Sequence, residues 1–542
     1  MSNKQNLSPR EELLAIQKRV FYHNKQIIED SVLVQEKDFS QYEKNYLNCV
    51  RTYQRVVSLD ELKRKMVKAQ FVFVGDYHTN PQSQRSFLRL LRALVGETKN
   101  FCIALEFIQR KKQIYVDQYL NGKLPIEKFL KKIELKKHFH FDLWGNFKPL
   151  FDFAIYHGVK IYGLETAPYG SGLIKRDQAM AETLKDIHEK NPNSLVVCLV
   201  GDLHIAPKNL PHQLRATLNA TKLRSEKILH VYQNSEKIYW QLAQAGLEDK
   251  VEIVQLGEWS YCLMNTPPVV WQQSYLNWLE NEIEFDYSDP KANFVDLMER
   301  IAAFLEIKVP DTKDEVEIFT WDDLSFLDRL ENASDFTVRE IKAIKQQIES
   351  SESYYIPKRK WVYLGNLSIN HAAEEASHCL KHLLSGEEFP RSGFDAFYAN
   401  VLHEAVGFFG SKLINHKRKC LRERDYESLI EYFKTSQDFP RVRHLEVEIA
   451  RFVLSHQAMM KKGKDPAMPE HFFSNYKLFF GVSHALGYLL GERIYYAMLK
   501  ELIRKREVIR LYRSPFKEEG EPFLLYHYLY NKTSRLRLPH RL

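Results

Sequence analysis

Hydrophobic and polar positions alternate along the first half of the chain in a βα rhythm. Phe71-Val-Phe-Val is a short, wholly apolar run of β-favouring residues, the pattern of a strand covered on both faces. It ends in Gly75-Asp-Tyr-His78. A second run, Leu195 to Val200, ends in Gly201-Asp-Leu-His204. Further strands are predicted at Asn100–Phe107, Val159–Glu165, Lys227–Gln233, Val251–Leu256 and Trp259–Met264. Helical spacing fills the gaps, most plainly after Pro81, over Phe147–His157 and from Arg176. Strands alternating with helices predict an α/β domain with a central, largely parallel sheet and flanking helices. Ser58-Leu-Asp-Glu61 resembles a capping box, and residues 1–50 read as helical.

The pattern changes after about Phe285. Polar connectors such as Pro310-Asp-Thr-Lys-Asp-Glu-Val and Ser350-Ser-Glu-Ser appear, and from Leu367 onward the apolar positions recur at helical spacing without convincing strands. We therefore expect a helical arm over 1–54, an α/β domain over 55–285, a bridging segment over 286–360 and an all-α C-terminal domain over 361–542. A length of 542 residues is itself too great for one ordinary core.

Candidate chemistry concentrates at the strand ends. Open α/β sheets place ligands beyond the carboxyl ends of their strands. His78, His204, Asp76, Asp202, Glu106 and Glu165 all fall there, and Arg176 opens a nearby helix. Imidazole with carboxylate suits a divalent metal, with His78, Glu106, His204, Asp76 and Asp202 as candidate ligands. The same groups suit metal-free acid–base chemistry, with an imidazole as general base and Arg176 steadying an oxyanion. A plainer alternative is that the two Asp cap helices and the backbone satisfies the two His.

Gly75-Asp-Tyr-His78 with Asn80-Pro81, Ala104-Leu-Glu106-Phe-Ile-Gln-Arg110, Asp117-Gln-Tyr-Leu-Asn-Gly122, Trp144, Gly158-Val-Lys-Ile-Tyr-Gly163, Arg176-Asp177 and Gly201-Asp-Leu-His204 together resemble the ChaN-like haem-binding family. The resemblance covers roughly 55–280. It implies a superfamily shared with the Tiki and TraB proteins and, more distantly, the erythromycin esterases. That superfamily is marked by two Gly-x-x-His motifs, a Glu and an Arg, which here fall on His78, His204, Glu106 and Arg176. The family's usual first motif is Gly-Glu-x-His; this chain has Asp76 in place of the Glu. The resemblance implies haem or iron as cofactor, held by Tyr and His ligands across a homodimer. Tyr77, Tyr115, Tyr119, His138 and His140 are the residues at hand for that role. Its relatives imply a metal-dependent hydrolase as the alternative, with His78, His204, Glu106 and Arg176 as the catalytic set. A third expectation is a non-catalytic scaffold whose helical domain binds a partner.

Composition narrows the partners. Hydrophobic residues make up 44% and aromatics 13%, ample for packed cores. A net charge of +8 on a chain this long, without an accompanying motif, argues against nucleic acid as a ligand. The opening residues contain no apolar run, no stretch reaches the length of a membrane span, and six scattered cysteines form no CxxC. A cytoplasmic location with reduced thiols is the expectation.

The helical half offers two weaker patterns. Glu375-Ala-Ser-His378 has the Glu-x-x-His spacing of carboxylate-bridged di-metal bundles, but His403-Glu404 and Glu446/Glu448 do not supply the matching second copy. A solvated or interhelical polar stripe is expected there. His403-Glu-Ala-Val-Gly-Phe-Phe-Gly410 and His484-Ala-Leu-Gly-Tyr-Leu-Leu-Gly491 share small residues that predict close helix packing.

Overall fold

The computed structural model describes residues 8–31, 37–97, 100–134, 144–167, 171–218, 228–282, 290–320, 323–349, 353–365, 368–386, 390–435, 444–466 and 468–539. The chain divides into two compact units. One is Val20–Phe285 with Pro539–Leu542, and the other is Met1–Arg19 with Asp286–Leu538.

The first unit holds an eight-stranded sheet. Its strands are β1 (Arg55–Val56), β2 (Phe71–Asp76), β3 (Phe101–Gln109), β4 (Ile161–Glu165), β5 (Leu195–Gly201), β6 (Ile228–Gln233), β7 (Ile253–Gly257) and β8 (Ser260–Leu263), in the order β1-β7-β8-β6-β2-β5-β3-β4. The pairings from β8 to β4 are all parallel. Only β7 and β1 run antiparallel, at one edge. Every residue of β2 is buried, as expected of a wholly apolar central strand. Helices flank the sheet, and their apolar faces join the strands in one core. Helix Leu59–Lys68 starts at Ser58, whose hydroxyl accepts the Glu61 amide.

Chain order and strand order differ in a way that builds the site. β5 returns from β4 to insert between β2 and β3. The register pairs Asp76 with Gly201 and Leu105 with Leu199. Both Gly-Asp-x-His turns and Glu106 therefore leave the sheet side by side.

The second unit packs long helices around one apolar core. Helices Gly393–Ile414 and Tyr476–Leu499 approach at backbone distance, as their small residues predict. A Cβ on Gly487 would stand 2.7 Å from the Val401 carbonyl oxygen, and one on Gly491 2.6 Å from that of Ala405. Within 286–360 the chain forms helices Pro290–Phe304 and Val338–Glu349 and contributes to a three-stranded sheet, β9 (Glu317–Thr320), β10 (Tyr354–Ile356) and β11 (Trp361–Leu364), ordered β10-β11-β9. That sheet has its own small core of Phe319, Phe326, Ile356, Trp361 and Tyr363. Strands of three or four residues are too short to show a period, so the hydrophobic pattern did not reveal them.

Among the described residues no helix is long and apolar enough to cross a membrane. None of the six cysteines forms a disulfide, and all but Cys49 are buried.

Candidate functional site

Strand β2 delivers Asp76 and His78 to the carboxyl edge of the sheet. Asp76 is buried, and its Oδ2 lies 2.7 Å from His78 Nδ1. Its Oδ1 accepts a 2.5 Å hydrogen bond from Gln84, the fourth residue of helix Pro81–Leu94. Asn80 caps that helix by accepting the Gln82 amide, with Pro81 in the first turn. His78 stands two residues before the Asn80 cap, and a third of its side chain is exposed.

Strand β5 delivers the second imidazole in a 3₁₀ turn, Asp202–Ile205. His204 Nδ1 lies 2.5 Å from Asp177 Oδ1, and Asp177 Oδ2 accepts the Tyr42 hydroxyl at 2.6 Å. His204 and Asp177 are both buried. Between the imidazoles stands Glu106 from β3. Its Oε1 pairs with Arg176 at 2.5 Å and lies 3.5 Å from His204 Nε2, while its Oε2 accepts the Gly201 amide at 2.6 Å. Arg176 donates from Nε to Glu165 at 2.8 Å. The three strands meet over Gly201. A Cβ there would lie 3.5 Å from Glu106 Oε2 and 3.8 Å from His78 Nε2.

Each carboxylate named so far has a partner, and neither Asp caps a helix. Asp202 differs. It sits directly over Gly75, where any Cβ would collide with its Oδ1, and that buried oxygen has no hydrogen-bond partner among the described residues. Burial, reinforced by the Asp76 charge and opposed by His78, pushes its carboxyl up to about 8.

Glu106, His78 and His204 shift the other way, toward their charged forms. Burial disfavours ionised Glu106, but His204, Arg176, His78 and the Gly201 amide together hold it down to about 2. Burial likewise disfavours the His78 cation, yet Asp76 and then Glu106 outweigh it and push His78 up to about 9. His204 moves upward against burial for the same reason, through Glu106 and Asp177.

The arrangement fixes both imidazoles through Nδ1 on carboxylates, and His204 turns its Nε2 to Glu106. Histidines that hold metal are oriented in this manner. Among the described residues, however, no three donors at the strand ends lie within 4.8 Å of one another.

The candidate tyrosines separate. Tyr77, next to His78 in the chain, packs against Trp271 and Tyr275 of helix Pro268–Glu282, with ring centroids 5.0 and 6.2 Å away. Tyr119 stacks on Phe129 at 4.4 Å within an aromatic cluster with Trp144 and Phe151, a packing position. Tyr115 lies one turn before it on helix Gln113–Leu120, under Lys132. His138 and His140 lie outside the described residues. Asp177 entered the sequence reading only within the Arg176-Asp177 motif, and Tyr42 and Gln84 join the site without having been singled out, as do Trp271 and Tyr275 through Tyr77. Only Asp177, adjacent to Arg176, carried any signal; the others reach the site from helices whose own patterns speak only of packing.

Comparison with known proteins adds a family. Residues 62–168 match the family model described as haem-binding uptake, Tiki superfamily, ChaN. No curated protein matches the chain. A solved structure described as cofacial heme binding to ChaN of Campylobacter jejuni aligns at 15% identity over 39% of this chain and 92% of that one, with a TM-score of 0.27, too low to bear on the fold. Residues 62–168, which hold His78 and Glu106, are similar to the haem-binding uptake family of the Tiki superfamily, ChaN.

Proposed function

We propose that the α/β unit binds haem at the carboxyl edge of its sheet, with His78 as the axial donor. The observation that carries this is the partly exposed His78 imidazole, fixed at Nδ1 by Asp76, next in the chain to Tyr77, whose ring packs against Trp271 and Tyr275. A porphyrin brings four nitrogens of its own, so the protein need supply only one or two axial atoms and a flat apolar surface. A bare ion needs three or four convergent protein donors. The strand ends fit the first demand better than the second. Asp76 orients the ring and strengthens the donor. Buried His204, tied to Asp177 and Glu106, holds the shape of the site beneath it. Haem spanning two copies of the chain follows from the family resemblance.

The test is a hemin titration followed by the Soret band. Wild type and His204→Ala are expected to give a shifted band, and His78→Ala a weaker or displaced one. An identical spectrum in His78→Ala would reject His78 as the donor. Sedimentation with and without hemin tests the dimer.

A second reading rests on the two Nδ1–carboxylate pairs beside Arg176. It is a metal-dependent hydrolase with His78, His204 and Glu106 as ligands and Arg176 steadying negative charge. It predicts a stoichiometric divalent metal without a Soret band, lost in the His78→Ala/His204→Ala double variant.

A further inference from the structure

The helical unit brings together a histidine and two carboxylates that the α/β site does not use. Glu374 comes from helix Ile369–Ser385, Glu404 from helix Gly393–Ile414 and His484 from helix Tyr476–Leu499. One donor atom from each lies within 4.8 Å of the others, a grouping found nowhere else among the described residues. His484 Nδ1 and Glu404 Oε2 are 2.9 Å apart. Gly487, one turn beyond His484, makes this approach possible, because its missing side chain lets the helix rest against Glu404 and Val401.

Glu374 provides an independent observation. It is only 3% exposed. Its Oε2 accepts Arg418 at 2.6 Å and the Tyr488 hydroxyl at 2.7 Å. Its Oε1 has no hydrogen-bond partner among the described residues. A buried carboxylate oxygen without a partner is costly, and a fold keeps one more readily where something else satisfies it. A carboxylate that gives one oxygen to a cation and the other to its neighbours is the usual outer arrangement of a metal ligand. Arg418 is itself fixed, with its guanidinium over the rings of Phe408 and Tyr488.

We infer that Glu374, Glu404 and His484 form a site for a divalent first-row metal ion in the helical unit. Two carboxylates and one imidazole suit Zn(II), Mn(II) or Fe(II) better than Ca(II) or Mg(II), which take oxygen donors. Bonds of about 2.1 Å put donors no more than about 4.2 Å apart, so a trio whose atoms lie within 4.8 Å of one another closes by at most about 0.6 Å on binding. His484, half exposed, and partly exposed Glu404 have room for that movement. Three protein donors leave at least one position on a four-coordinate ion for water or a ligand.

The neighbouring Glu375-x-x-His378 pair is not part of this set. His378 turns to Glu375 and stacks on His403 at 4.0 Å, its ring lodged in the notch of Gly407. It is a buried interhelical contact, as expected of a polar stripe.

The experiment uses the full chain, treated with chelator and dialysed, then titrated with Co(II) and read by visible d–d absorption and equilibrium dialysis. Wild type is expected to bind one Co(II) here, and His78→Ala/His204→Ala to keep it. His484→Ala and Glu404→Gln are expected to weaken it by at least about tenfold. His484 is exposed enough for its alanine variant to fold, so that variant decides if Glu404→Gln shows altered circular dichroism. Undiminished Co(II) binding in His484→Ala, loss in the His78/His204 variant alone, or no binding by wild type would each overturn the inference.

Discussion

Each unit buries an arginine against a glutamate with histidines nearby, and the two networks differ in how the chain builds them. In the α/β unit, Glu106 holds Arg176, which also pairs with Glu165 and keeps 29% of its side chain exposed. In the helical unit, Glu374 holds Arg418, which is almost wholly buried and whose other partners are neutral, the Tyr488 hydroxyl and the Asn370 carbonyl. The first network is redundant and open at one side. The second depends on one carboxylate. A site that receives ligand needs the first kind of access; a charge locked in a helical core tolerates far less loss.

The sharpest way to break this comparison is to remove each glutamate. Glu374→Ala leaves a buried guanidinium without a counter-charge and is expected to cost about 3–5 kcal/mol. Glu106→Ala leaves Arg176 with Glu165 and with solvent, and is expected to cost about 1–3 kcal/mol. Urea unfolding of both variants measures the difference, and a larger loss for Glu106→Ala would reverse the contrast.

The same difference governs what the sequence revealed. His78, Asp76, His204 and Asp202 sit in contiguous four-residue motifs, and a parallel sheet needs only adjacent strands to bring such motifs together. Pairing Asp76 with Gly201 does so at once. Glu374, Glu404, Arg418 and His484 span more than a hundred positions and meet only through the register of three packed helices and the loop that carries Arg418. The Gly407/Gly410 and Gly487/Gly491 patterns showed that two of those helices pack closely, but not which side chains face each other. Tyr42 and Trp271 were hidden for another reason. Each is an aromatic residue on a helix, where core packing is the ordinary expectation.

Glycine substitutions sharpen the contrast on a smaller scale. Gly487→Ala places its Cβ 2.7 Å from a backbone oxygen in a helix that cannot retreat, and about 1–3 kcal/mol is expected from the overpacking. Gly75→Ala meets a side chain instead, the Asp202 carboxyl, which must leave its place. Thermal unfolding is therefore expected to report the former, and hemin binding the latter.

Two groups of the α/β unit give its site a pH response. His78 carries a folded value of about 9 against an ordinary 6.5, so its contribution is complete below about 6.5 and disappears as pH rises through 9. Asp202 has a folded value of about 8 against 3.8, so the unfolded chain ionises first and stability falls as pH rises from about 4 to 8. Both slopes have the same sign. Asp202→Asn is expected to flatten the acid part of the profile and to leave the fall near pH 9. An unchanged slope between pH 4 and 8 would show that Asp202 ionises normally in the fold.

The smallest expected effect tests whether helix Lys37–Cys49 is part of the site or merely covers it. Tyr42→Phe keeps the ring, which packs edge-on to His204 at 6.2 Å, and removes only the hydroxyl given to Asp177. Loss of one hydrogen bond to a carboxylate is expected to cost about 1–2 kcal/mol. The more informative readout is His204 itself. Without the phenol, the Asp177 charge is shared with fewer donors and its pull on the imidazolium strengthens. His204, already raised by Glu106 and Asp177, should therefore hold its proton to still higher pH in an NMR titration. A covering helix would change stability without moving that titration. A helix that tunes the site moves His204 upward while leaving His78, which answers to Asp76, where it was.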